Sequence, residues 1–128
     1  MKAHFFLCPI CGNVIVKAVD SGVIPDCCDR PMVELEPNTT EGSSDHHLPV
    51  VKTAPDKGTL IVEIGDKPHP ATTQHHIMFI WLETEEGGEI RWLDDPTAPA
   101  RAVFAAPASP VTAVYAYCNI HGLWKTSL

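Results

Sequence analysis

The sequence predicts an all-β protein in two parts, a small metal-stapled module followed by an antiparallel β-sandwich. Three observations carry this reading. Runs rich in β-branched and aromatic residues recur along the chain, bounded by turn residues. Twelve prolines, several between those runs, break any long helix. Four of the five cysteines fall within the first 28 residues, whereas six of the seven histidines lie after residue 45.

Val14-Ile15-Val16-Lys17-Ala18-Val19 and Met32-Val33-Glu34-Leu35 suit short strands arranged around a metal. A piece this small buries too little apolar surface to fold unaided, since chains below roughly 40 residues usually need a metal or disulfides. Glu36 to Asp45 is polar and bears Pro, Gly and Ser, so it reads as a linker. The expected boundary divides the chain into residues 1–37 and 38–128. Thr59 to Gly65 is a β-branched strand ended by glycine, and His75 to Glu83 is a second strand. Glu86-Gly87-Gly88-Glu89 predicts the hairpin turn that leads into Ile90-Arg91-Trp92-Leu93. Val111 to Cys118 is a further strand, set off by Pro96, Pro99, Pro107 and Pro110. Regularly spaced short strands of this kind favour a sandwich.

Nine basic against sixteen acidic residues leave a formal charge of −7. No cationic excess is available to neutralise phosphates, so neither nucleic acid nor an anionic membrane is expected as a partner. No apolar run approaches the ~18 residues that span a bilayer. The opening hydrophobic stretch is too short for a signal peptide, and the expected compartment is the cytoplasm. Cysteines there serve as metal ligands or reactive thiols more often than as disulfides.

Cys8-Pro9-Ile10-Cys11 is a loop that lets two thiolates converge on one tetrahedral ion. The other half-site is the adjacent pair Cys27-Cys28. Neighbouring side chains diverge in extended chain, so both can share an ion only in a distorted tetrahedron. Zinc and mononuclear iron both accept four thiolates, and the ligand set does not choose between them.

A second constellation lies downstream. His69 and His75 flank a short loop, Cys118 and His121 flank a strand end, and His47 supplies a third element. Imidazoles with one thiolate suit iron(II), copper, nickel or zinc, but not magnesium or calcium. His76 follows His75 on a predicted strand and so points to the opposite face, which leaves it structural.

Cys8-x-x-Cys11, Cys27-Cys28, His47-Leu48-Pro49-Val50, His69-Pro70, His75-His76-Ile77 and Tyr117-Cys118-Asn119-Ile120-His121-Gly122-Leu123-Trp124-Lys125 occur in this order over nearly the whole chain. The set resembles desulfoferrodoxin, the two-iron form of superoxide reductase. The resemblance implies a desulforedoxin-like N-terminal module holding iron through Cys8, Cys11, Cys27 and Cys28. It implies an immunoglobulin-like, neelaredoxin-like domain whose iron has His47, His69, His75 and His121 in its equatorial plane and Cys118 on its axis. The implied activity is one-electron reduction of superoxide to hydrogen peroxide. The implied partners are a small electron donor such as rubredoxin and a second copy of the chain in a homodimer. A non-catalytic iron electron-transfer protein on the same scaffold is the alternative.

One departure from the family pattern is visible. Members commonly carry Glu-Lys immediately before the first histidine ligand, where this chain reads Asp45-His46-His47. His46 then becomes the candidate catalytic residue at the open iron position, partly charged near pH 7.

Overall fold

Among residues 2–54 and 58–128, which the computed structural model describes, short strands dominate and helix is confined to one turn. The chain divides into two compact units, Lys2–Glu36 and Pro37–Leu128.

In the smaller unit β1 (Phe5–Leu7) lies between β2 (Val14–Val16) and β5 (Val33–Glu34), antiparallel to both. β3 (Asp26–Cys27) pairs with β4 (Arg30–Pro31). One buried cluster comprises Phe6, Cys8 and Met32, with Cys27 packed against it. So small a core fits a module whose main cross-link is a metal. The central strand β1 was not anticipated, because three residues are too few to show a period. Cys28 corrects the expected extended geometry of the cysteine pair. Cys28 (φ 54°) and Asp29 (φ 59°) form the two-residue β3–β4 turn in the left-handed conformation. That turn brings the two neighbouring thiols to one side.

The larger unit is a sandwich of two antiparallel sheets. One has the order β10-β7-β6, from β6 (Pro49–Ala54), β7 (Thr59–Ile64) and β10 (Arg101–Ala105). The other has the order β12-β11-β8-β9, from β8 (Ile77–Thr84), β9 (Gly87–Trp92), β11 (Val111–Cys118) and β12 (Gly122–Ser127). Alternate residues meet between them: Leu60, Val62, Ile64, Ala102 and Phe104 face Ile80, Leu82, Val114 and Ala116 in one buried cluster. Cys118 belongs to the same cluster and is the last residue of β11. Core packing therefore holds its sulfur at the sandwich's end, where each buried aliphatic neighbour contributes ~1.5–3 kcal/mol.

Three local expectations change. The hairpin turn is Glu85-Glu86, with Thr84 paired to Gly87, so both glycines lie in β9. Gly88 serves packing, because a Cβ there would collide with the Trp81 indole. His75 and His76 precede β8, which starts at Ile77. The linker is also partly structured. β12 is an edge strand whose free backbone groups need partners. Asn38 supplies them: its N–H donates to Leu123 O (3.0 Å), its Nδ2 donates to Lys125 O (3.0 Å), and its Oδ1 accepts from Lys125 N (2.8 Å). Downstream, Ser44–His47 forms α1.

Candidate metal centres

The thiols of Cys8, Cys11, Cys27 and Cys28 all lie within 4.8 Å of one another. Cys11 Sγ and Cys27 Sγ are 3.7 Å apart. Two sulfurs bound tetrahedrally at ~2.3 Å from one ion would stand about 3.8 Å apart. The Cys11 N–H points at Cys8 Sγ (3.5 Å), and this bond is the first cause that lowers the Cys8 thiol to about 6. Cys28 is pushed up to about 12, first by hydrogen bonding with Cys11 that favours its thiol form, then by Cys8 and Cys27. Cys27 rises for the same kind of reason, led by Cys8. Four thiolates cannot coexist here without a cation, and the ligand set accepts iron.

At the end of the sandwich, His47, His75, Cys118 and His121 bring their ligand atoms within 4.8 Å of one another. His69 stands against this set, its ring centroid 4.7 Å from those of His47 and His75. The four imidazoles form a ring-shaped arrangement. Successive centroids lie 4.7 Å (His47–His69), 4.7 Å (His69–His75), 5.0 Å (His75–His121) and 4.8 Å (His121–His47) apart. Each neighbouring pair is edge-on, whereas His47 and His75 face one another across 6.1 Å with ring planes 31° apart. His47 Nε2 and His121 Nδ1 are 3.1 Å apart. Two nitrogens at right angles, each ~2.1 Å from an ion, would be about 3 Å apart.

Backbone carbonyls set the orientation of two rings. His47 Nδ1 bonds Ser43 O and His69 Nδ1 bonds Pro70 O, both at 2.7 Å. Such bonds select the tautomer that leaves Nε2 free to bind a metal. His69 Nε2 and His75 Nε2 are buried with no hydrogen-bond partner among the described residues, which is costly unless an ion takes the lone pairs. Burial lowers the basicity of His47 and His75 and takes His69 down to about 4, so these imidazoles are neutral donors. Burial raises the Cys118 thiol, opposed by the N–H of His121, which lies 3.4 Å from the sulfur. A coordinating cation would reverse that rise. These residues fit iron, with Cys118 fully buried and His75 and His121 only partly so.

Trp124 had no role in the sequence reading beyond its place in the motif. Its indole stacks on His47 (4.8 Å, 25°), and its Nε1 donates to His121 O (3.1 Å). His76 turns away from the cluster, with Nδ1 2.9 Å from Thr72 O. His46 is likewise outside the four rings, with Nδ1 3.2 Å from Pro68 O. Lys67 reaches the same turn, its Nζ 3.7 Å from Asp45 Oδ2.

The Desulfoferrodoxin family model matches residues 39–127. A desulfoferrodoxin homolog of Methanothermobacter thermautotrophicus is 35% identical over 123 residues, covering 94% of this chain and 95% of the relative. The chain belongs to the desulfoferrodoxin family. The desulfoferrodoxin of Syntrophotalea carbinolica is 31% identical over 126 residues, covering 98% of this chain and 96% of the relative. A relative named superoxide reductase, from Thermococcus kodakarensis, is 33% identical over 99 residues, covering 66% of this chain and 86% of the relative. The fold is that of the superoxide reductase from Treponema pallidum, with a TM-score of 0.81 at 23% identity over 99% of this chain and all of that one. The all-β desulfoferrodoxin architecture and both candidate iron sites are thus present in this member.

The depressed histidines predict a pH effect on the metal-free protein. Between the folded value of His69, about 4, and the ordinary value of about 6.5, the unfolded chain binds a proton that the folded chain does not. Stability should be highest above about pH 6.5, fall as the pH drops toward about 4, and level off below. Thermal unfolding of the metal-free protein across this range should show a shallower decline for His69→Gln. Equal slopes would mean that burial does not hold His69 neutral.

Proposed function

We propose that the chain is a superoxide reductase that reduces superoxide to hydrogen peroxide at the site of His47, His69, His75, His121 and Cys118. The observation that carries this reading is the set of four edge-on imidazoles beside one buried cysteine, with two of the rings partly open to solvent. Iron bound there would supply the single electron, and an anion would be drawn to the positive charge that neutral imidazoles and one thiolate leave on a divalent ion. The residues do the remainder. Ser43 O and Pro70 O keep two imidazoles in the metal-binding tautomer, and Trp124 braces His47 and His121. The N–H of His121 tempers the charge on Cys118.

Each superoxide takes up one electron and two protons, so no dioxygen is produced. His46 is the proposed catalytic group outside the ligand set, beside the His47 turn. Lys67 reaches the same turn, where it pairs with the Asp45 carboxylate. The proposed electron source is a small donor such as rubredoxin. The partly or fully exposed Cys11, Cys27 and Cys28 give the first iron a route to such a donor. A homodimer in the cytoplasm completes the reading. Among the described residues no helix is long and apolar enough to cross a membrane.

Pulse radiolysis of the reduced, iron-loaded protein tests the activity. Superoxide should disappear with one equivalent of peroxide formed and no dioxygen evolved. Iron oxidation without peroxide would favour the non-catalytic electron-transfer alternative. Cys11→Ser should abolish the four-cysteine absorption while superoxide reduction persists at most of its rate, because the cluster lies in the separate Lys2–Glu36 unit. Loss of most activity with the second iron still bound would show that the sites are interdependent.

A further inference from the structure

A metal-binding imidazole is usually oriented by a hydrogen bond at its other nitrogen. His47 and His69 have such bonds, to Ser43 O and Pro70 O. His75 does not. Among the described residues its ring has no hydrogen-bond partner, and its Nε2 is buried. With no hydrogen bond to orient it, this ring is placed by its backbone and by the His69 and His121 rings packed beside it.

Two side chains hold that backbone. Thr72 closes a local turn, its Oγ1 accepting from His75 N–H (3.0 Å) and its own N–H donating to His75 O (3.0 Å). Asn119 provides the tie to the rest of the fold, because it binds the residues on both sides of His75. Its Nδ2 donates to Gln74 O (2.9 Å), its Oδ1 accepts from His76 N–H (3.0 Å), and its backbone N–H donates to His76 O (3.2 Å). β8 begins only at Ile77, which pairs with Cys118 across a register shift. Asn119 extends that ladder beyond the strand, and it does so from the position directly after Cys118. A primary amide suits the task because it offers a donor and an acceptor in one plane. Aspartate has no donor for Gln74 O, and alanine offers neither group.

We infer that Asn119 is a positioning residue of the second metal site, fixing the His75 ring relative to the Cys118 sulfur through Gln74 and His76. This rests on the reading of that cluster as an iron site. Asn119 is exposed and lies outside the core, so its loss should disturb the ligand geometry more than the fold.

The test compares iron-loaded wild type, Asn119→Ala and Asn119→Asp during iron transfer to a chelator. The thiolate-to-iron band of the second site is followed, with the four-cysteine band as an internal reference. Asn119→Ala should release the second iron ~10–100-fold faster and shift its band, while the four-cysteine iron leaves at the wild-type rate. Asn119→Asp, which keeps the acceptor for His76, should fall between. The melting temperature of the metal-free protein should be unchanged in both variants. Release at the wild-type rate with an unshifted band would overturn the inference. So would faster release accompanied by a matching drop in the metal-free melting temperature, since that would mark a merely structural role. A wild-type protein that shows only the four-cysteine band would instead overturn the iron reading of the cluster, and this inference with it.

Discussion

Replacing Cys118 with serine is expected to eliminate the thiolate-to-iron absorption of the second site and to lower superoxide reduction by more than 100-fold. Loss of an outer partner of a metal ligand typically costs ~10–100-fold, and removing a ligand itself should exceed that. Cys118 is fully buried, and the N–H of His121 is directed at its sulfur. Serine offers a hard oxygen that stays protonated in this apolar setting, so it cannot supply the electron density by which a thiolate tunes iron. The change of size is small, so the sandwich should survive. The four-cysteine band should persist, because Cys118 has no part in that cluster. Absorption spectra, iron content and pulse radiolysis on one preparation decide the matter. Near-normal turnover at full iron occupancy would remove Cys118 from the ligand set.

The second large effect concerns a residue with no side chain. Gly65→Ala should destabilise the larger unit by several kcal/mol and strip iron from the second site. Gly65 has φ +85°, and a left-handed conformation costs a residue with a Cβ ~1–2 kcal/mol. A Cβ there would also lie 2.8 Å from Asp45 O, 2.8 Å from the His46 carbonyl carbon and closer still to Lys67 O. All three are backbone atoms and cannot swing aside, and overpacking of this kind costs a further ~1–3 kcal/mol. The total is a large share of a typical 5–15 kcal/mol stability. Gly65 N–H donates to Leu48 O (2.9 Å) and Lys67 N–H to Asp45 O (3.0 Å), which clasps the loop leading to His69 against the turn carrying His47. Separating these segments would pull apart two rings whose centroids lie 4.7 Å apart. Gly58→Ala is the control, in the same unit, with a left-handed φ of +59° and nothing within 4 Å of its Cβ. It should show the backbone cost alone. Equal melting temperatures and equal iron content for the two variants would disprove the clasp.

Both substitutions separate what sequence carries from what folding adds. Cys8-x-x-Cys11 can be read in the chain because a two-residue loop brings two thiols together by itself. Thr59 to Ile64 and Val111 to Cys118 can be read because alternation and β-branching are local properties. The order of the histidine and cysteine motifs likewise marked the residues that the fold collects at one end of the sandwich. Tertiary structure alone decided how they meet. The left-handed turn at Cys28, the carbonyls of Ser43 and Pro70 behind His47 and His69, and the close approach at Gly65 have no side-chain signature. Backbone groups are the same at every position, so their use depends on which segments the sandwich brings into register. The same holds for Asn38, whose polar surroundings read as a linker. It became the partner of Lys125 only because β12 lies at the sheet's edge with unpaired backbone groups.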